Sequence, residues 1–288
     1  MAYLDSIIVK KIAAILSIAR IIPILQRKWG SPAKMTSFTT LILLLVAGFL
    51  GGIANSMAGG ASLFTFPALL VAGLPPIVAN ASNAMAVTSS NGVGFLSDLQ
   101  KLPKRDLGFW LSVGVAILGG GLGAWLLLVT PEKTFTNTVP ALIGFATLVF
   151  AFAKPIQRFL SRILGGGHDH PKLRQILLFP VAIYGGYFGA GAGVIILSAL
   201  NATSSMELRS LNAIKNLFAF LMNLTAIVFF IWFSLIAWPQ TLIMMIGTIA
   251  GGFMGIRLTK VLPTSTVRFA VTACGVLMTA IYVWRYWL

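Results

Sequence analysis

Residues 49–78 read FLGGIANSMAGGASLFTFPALLVAGLPPIV. An apolar run entering from Phe38 stops at NSMAGGAS (55–62), resumes from Leu63 to Ala72, and turns at Gly73-Leu74-Pro75-Pro76. Each arm is shorter than the ~20 residues a helix needs to cross a hydrocarbon layer of ~30 Å. The segment therefore reads as a broken pair of short helices. Unpaired backbone is not tolerated in lipid, so a non-helical stretch at depth must be enclosed by protein or line a hydrated cavity. The rest of the chain tests whether such a break belongs to a membrane fold.

The composition places it there. Of 288 residues, 58% are hydrophobic and 9% charged, with a mean hydropathy of +0.93. No single soluble core hides that much apolar surface. Uncharged stretches of helical length recur and the two-residue alternation of barrel strands does not, so the expected fold is an all-α polytopic bundle. A net charge of +15 raises the question of nucleic acid. The basic residues, however, sit in short clusters between apolar segments, which fits topology and anionic lipid headgroups and argues against a nucleic-acid partner. The single cysteine, Cys274, lies in an apolar stretch and excludes a disulfide framework or a cysteine metal site.

Along the chain the pattern repeats. Residues 1–37 form an N-terminal segment in which 7–25 reads as an interfacial amphipathic helix, interrupted by Lys10, Lys11 and Arg20. The first transmembrane repeat covers 38–156: the broken pair, a polar-dotted helix near 78–97, and spans near 107–129 and 137–153. A basic loop follows at 157–172. The second repeat, 173–288, runs apolar from 175, breaks at GAGAG (189–193), resumes to Leu200, and continues with a polar-dotted helix at 206–232 and spans near 238–257 and 266–286. Gly51-Gly52 matches Gly185-Gly186, Asn83-Ala84 matches Asn212-Ala213, and Gly120-Gly121 matches Gly251-Gly252. Two homologous halves are expected, each a broken hairpin plus three spans. Counting a hairpin as two crossings gives five per half, which makes them inverted 5+5 repeats. Loops 98–106 and 154–174 are then cytoplasmic, together with Arg257, Lys260 and Arg268, although Arg27, Lys28 and Lys34 fall outside.

The breaks suggest chemistry. At Gly59-Gly60-Ala61-Ser62 and Gly191-Ala192-Gly193 short helices open, and their first N–H groups are unpaired and carry the positive end of the helix dipole. Such ends attract anions. Asn55, Ser56 and Ser62 add neutral hydrogen bonds. Tight helix packing is the competing explanation of the glycines. The helix after each break carries a polar stripe: Asn80, Asn83, Asn91, Gly94 and Asp98 in the first half, and Arg209, Asn212, Lys215, Asn216 and Asn223 in the second. These side chains either join helices or line a path. Lys215 lies about nine residues, ~13 Å, inside its span, and no acidic residue lies deep in any span. A bound anion is its natural partner, with Glu207 or the interface as alternatives. Asn80, Asn91, Arg209 and Asn223 are the candidates for the pathway or gate.

Other features carry less. His168-Asp169-His170 lacks a fourth ligand nearby and reads as a solvated linker, so neither metal nor cofactor is expected. No nucleophile, base and metal constellation supports an enzyme. Gly247, Gly251 and Gly255 form a face for helix packing.

The stretches FLGGIANSMAGGASLFTFPALLVAGLPPIVANASNAMAV (49–87), IYGGYFGAGAGVIILSAL (183–200) and LNAIKNLFAFLMN (211–223) resemble the sulfite exporter TauE/SafE family. The resemblance runs across most of 38–288. It implies inner-membrane export of small sulfur-containing anions such as sulfite, sulfoacetate or other organosulfonates. The commoner first-repeat pattern of that family has an acidic residue in place of Asn55 and a glycine in place of Ala61. The expected protein is a secondary transporter working by alternating access in the inner membrane. Its anion is held by Asn55, Ser56, Gly59, Gly60, Ser62, Asn83, Gly191, Gly193, Asn212, Lys215 and Asn216. A passive anion channel, or a permease for another small organic anion, is the alternative. Assembly as a homodimer is compatible with the sequence.

Overall fold

The computed structural model describes residues 38–103, 106–164, 169–258, 261 and 263–287. The expectation for residues 7–25 lies outside them, as does His168. The described residues are helical throughout and contain no strand: α1 (Phe38–Ala58), α2 (Ser62–Val71), α3 (Pro76–Ser97), a 3-10 turn (Leu99–Lys101), α4 (Leu107–Val129), α5 (Glu132–Ala151), α6 (Ala153–Ile163), α7 (Pro171–Tyr187), α8 (Ala192–Ala202), α9 (Leu208–Trp232), α10 (Trp238–Leu258) and α11 (Thr264–Trp287). Six of these, α1, α4, α5, α9, α10 and α11, are long and apolar enough to cross a membrane. Leu118, Leu148, Val228 and Ile246 are more than half exposed along them, which suits a surface facing acyl chains. α2 and α8 have 10 and 11 residues, ~15 Å or half a hydrocarbon thickness.

Two boundaries differ from the sequence reading. α1 continues through Asn55 and Ser56 to Ala58, so the first break is confined to 59–61. Polar residues are tolerated in a last helical turn, and it is Gly59, at φ 80°, that ends the helix. Of the segment read as a basic loop, residues 157–163 belong to α6, whose apolar positions recur at helical spacing.

Close glycine contacts order the bundle. Added Cβ atoms at Gly48 and Gly52 of α1 would meet the backbone of α10 between Met244 and Gly252, and those at Gly247, Gly251 and Gly255 would meet α1 between Leu45 and Ser56. The two helices run parallel with their backbones in contact, the arrangement small residues permit. α4 and α7 pack in the same way through Gly119, Gly123 and Gly186. These two pairings join matching elements of the two halves crosswise. α3 and α9 cross antiparallel at the centre, with Gly92 against Phe220, Gly94 against Asn216, and Asp98 against Arg209. α5 and α11 are antiparallel as well, with Gly144 against Thr279, Gly275 against Thr147, and Trp287 Nε1 donating to the Asn137 carbonyl. At one end of the bundle the segments before α4, α7 and α9 gather: His170 donates its amide to Thr203 O, and Pro171 lies over Gly108.

Candidate functional site

Each hairpin is broken by glycine in the left-handed region, where a side chain is disfavoured. Gly59, at φ 80°, returns its amide to Ala54 O and Asn55 O at 3.1 and 2.9 Å. Gly189, at φ 78°, returns its amide to Tyr184 O at 3.0 Å. Both glycines close a helix C-terminus in the left-handed conformation, Gly59 directly after Ala58 and Gly189 just beyond the cap Phe188. The helices that follow open at Ser62 and Ala192. Among the described residues, the amides of Gly60, Ala61 and Ser62, and those of Ala190, Gly191 and Gly193, make no hydrogen bond. The breaks also touch each other. A Cβ built on Gly59 would lie 3.3 Å from Gly193 Cα, and one built on Gly193 would lie 3.3 Å from Gly59 Cα.

Beside this contact is a cavity of about 30 Å³ bordered by α1, α2, α3, α7, α8 and α9. It has room for about two waters. Lys215 borders it at 2% exposure, with its stem passing Gly193, and no ion pair or hydrogen bond reaches it among the described residues. Glu207 lies exposed at the start of α9 and does not pair with it. A buried ammonium without a partner is costly in a dry interior, and water or an anion in the cavity would offset that cost.

Several sequence candidates meet here: Asn55, Gly59, Ser62, Asn83, Asn91, Gly193, Lys215 and Asn223 all border the cavity. Asn55 Nδ2 donates to Ser90 Oγ and Asn91 Oδ1, each at 2.7 Å. Asn83 Nδ2 donates to Ser62 Oγ at 3.0 Å and its Oδ1 accepts from Thr65. The first half therefore holds its polar groups in a prearranged network. Ser90 and Thr65 did not emerge from the sequence. Ser90 adjoins Asn91, and a search for hydroxyls one helical turn into α2 would have found Thr65.

The other candidates lie elsewhere. Ser56 donates to Gly252 O at 3.0 Å and ties α1 to α10. Gly60 is covered by the ring of Phe150, and Gly191 lies against Ala146. At Gly60 glycine serves close packing, whereas at Gly191 the space is ordinary and it is the φ of 78° that favours glycine. Asn216 packs on Gly94, and Asn212 is half-buried, its side chain making no hydrogen bond among the described residues. Asn80 Nδ2 donates to Tyr187 O at 2.8 Å while its Oδ1 is buried without a partner. Arg209 Nε donates to Asp98 Oδ1 at 2.9 Å in an exposed ion pair.

A second cavity, about 230 Å³, lies where the segments before α4, α7 and α9 gather, with Asp106, Asp169 and Arg174 on its wall. Ile214 and Phe218 border it, while their neighbours Lys215 and Ala219 border the central cavity. One helix thus stands between the two spaces.

Comparison with known proteins decides the family. The family described as sulfite exporter TauE/SafE matches residues 44–282. The chain belongs to the sulfite exporter TauE/SafE family. A "Probable membrane transporter protein" of Haemophilus influenzae is 27% identical over 246 residues, 83% of this chain and 93% of the relative. The "Probable membrane transporter protein ORF9" of a Sinorhizobium species is 27% identical over 229 residues, 77% of this chain and 84% of the relative. YfcA of Escherichia coli K12, also named a probable membrane transporter protein, is 23% identical over 252 residues, 85% of this chain and 90% of the relative. No solved structure matches. This TauE/SafE member is a multi-pass membrane transporter.

Proposed function

We propose that the protein is an inner-membrane secondary transporter exporting a small sulfur-containing anion by alternating access, and that its binding site is the cavity beside the two breaks. The observation that carries this reading is Lys215: a cation at 2% exposure with no partner among the described residues, bordering a cavity whose wall includes Ala61, Ser62 and Gly193, residues with unbonded backbone amides. Amides at two helix starts and one ammonium suit an oxyanion. Asn83 is held by Ser62 and Thr65 and can orient a ligand oxygen without rearranging. Ser62, Asn55, Asn91 and Asn223 complete the polar wall.

Volume narrows the substrate class. A space for about two waters favours a small inorganic oxyanion such as sulfite over a larger one. Sulfoacetate or another organosulfonate requires the cavity to widen. Backbone contact between the breaks at Gly59 and Gly193 narrows the path beside the cavity, which favours a carrier that rearranges for each ion over an open channel.

We infer further that the halves are inverted repeats. Matching helices run antiparallel at both α3/α9 and α5/α11, and rocking one half against the other would move the breaks apart. A monovalent anion leaving a cell with a negative interior gains ~2.3 kcal/mol per 100 mV, so export needs no coupling ion. Proteoliposomes loaded with sulfite test the site: flux is expected in the native protein and lost in Lys215→Ala. Equal flux in both would remove Lys215 from the mechanism, and discrete single-channel current steps would favour a channel.

A further inference from the structure

α6, residues Ala153–Ile163, is the feature that the transport site leaves unused. It reads AKPIQRFLSRI, and Lys154, Arg158 and Arg162 at four-residue spacing share one exposed face. No acidic residue occurs in the helix, and no ion pair reaches these three side chains among the described residues. Next to the basic face is an apolar edge, Phe159 at 64% and Ile163 at 63% exposure. The remaining face is fixed to the protein: Ile156 and Leu160 are half-buried, α6 packs on α8, and Ser161 accepts a hydrogen bond from Asn201 at 3.4 Å.

The depth of α6 follows from α5, which it succeeds after Phe152. α5 runs antiparallel to α11, with Thr147 against Gly275. Extending that register places the start of α6 beside the first turns of α11, close to Arg268, where a span leaves the hydrocarbon. A helix at that level with one edge apolar, one basic and one pinned to the bundle has the composition of an interfacial helix.

We propose that α6 is a binding surface for anionic lipid headgroups, with Phe159 and Ile163 entering the acyl region and Lys154, Arg158 and Arg162 holding lipid phosphates. Charge complementarity selects this occupant: three unpaired cations at an interface attract acidic lipids, about fivefold in affinity for each basic side chain. The surface is independent of the substrate that the transporter carries. It nevertheless adjoins α8, whose first residues border the central cavity, so a lipid bound here braces a helix of the binding site.

The test uses the purified full-length protein with phosphatidylglycerol and phosphatidylcholine added separately, and native mass spectrometry to count bound lipid. Preferential retention of phosphatidylglycerol is expected. Arg158→Gln should weaken it about fivefold, and the combined Lys154→Gln, Arg158→Gln, Arg162→Gln variant by on the order of a hundredfold. Should the triple variant fail to fold, the single variant carries the test. Equal retention of the two lipids by the native protein, or undiminished phosphatidylglycerol binding in Arg158→Gln, would overturn the proposal.

Discussion

The two halves share a backbone plan and divide the chemistry between them. Counted from the capping glycines Gly59 and Gly189, Ser62 and Thr65 in the first half correspond to Ala192 and Ile195 in the second. Counted from Asn83 and Asn212, Asn91 corresponds to Phe220 and Ala86 to Lys215. The first half thus supplies neutral donors that bond one another: Asn55 to Ser90 and Asn91, and Asn83 to Ser62 with Thr65. Among the described residues the second supplies the one cation on the central cavity, together with Asn223 in an otherwise apolar wall. Two helix starts, at Ser62 and Ala192, lie beside the contact between Gly59 and Gly193. Under the proposed function, one side would fix geometry and the other provide charge, and the groups holding the anion would separate as the halves move apart.

The largest expected effect lies on the charged side. Replacing Lys215 with Met keeps the length of the stem and removes the charge. Loss of a buried charge contact costs about 2–5 kcal/mol of binding, which is roughly 30-fold to several thousandfold in affinity. Sulfite flux should fall accordingly. Stability should move the other way, because the native protein carries the desolvation cost of an unpaired ammonium. The melting temperature of Lys215→Met is therefore expected to match or exceed that of the native protein. A variant that lost flux and melted earlier would show that Lys215 holds the fold together, and the division of labour would fail.

The breaks give a second contrast. Gly60 is covered by Phe150 so closely that an added Cβ would overlap the ring. Gly60→Ala should cost about 1–3 kcal/mol of stability through overpacking. Gly191 is at φ 78°, while its counterpart Ala61 is at φ −50°. Gly191→Ala is expected to cost about 1–2 kcal/mol, whereas Ala61→Gly should stay within ~1 kcal/mol, the loss of helix propensity. Thermal unfolding of the three variants in detergent orders them. Equal losses for Gly191→Ala and Ala61→Gly would mean that the breaks adopt the same conformation after all.

The paired asparagines sharpen the comparison further. Asn83 is buried and bonded to two hydroxyl side chains, whereas Asn212 is half-buried and its side chain makes no hydrogen bond among the described residues. Asn83→Ala leaves Ser62 without its donor and should cost about 1–3 kcal/mol. Asn212→Ala should remain within ~0.5 kcal/mol. Chemical denaturation of both variants measures the difference, and similar values would deny that only the first half is prearranged.

The same contrast explains what could be read from sequence. Two glycine breaks, their repetition and the charge at Lys215 were legible because glycine clusters and lone charges are rare in apolar helices. Where α1 ends was not, since Asn55 and Ser56 suit a last helical turn as well as a loop, and only the left-handed Gly59 marks the end. Nor could periodicity tell the cavity asparagines from Asn80 and Asn216, which lie on the same stripes and bond or pack against neighbouring helices. A stripe fixes a face, and the partner on that face is set by how closely glycines such as Gly94 let the next helix approach. α6 escaped because Gly-rich sequence and basic residues after Ile163 resemble a linker, while its own apolar spacing is only three turns long.

The smallest effect is expected at the ends of the α3/α9 crossing, where Asn80 and Arg209 are counterparts, each three residues before the matched asparagines. At one end Asn80 donates to the Tyr187 carbonyl, and at the other Arg209 pairs with Asp98. The first bond is buried and insensitive to salt, whereas Arg209 is 66% exposed, so its attraction to Asp98 is screened at ordinary ionic strength. Asp98→Asn should change stability by less than ~1 kcal/mol. Its consequence should instead appear in flux against salt concentration. If the ion pair fastens the end near loop 98–106, added salt loosens it in the native protein and changes the rate modestly, and the same titration leaves Asp98→Asn flat. A flat titration in the native protein would mean that neither end depends on charge, and the two ends of the crossing would differ in chemistry without differing in what they control.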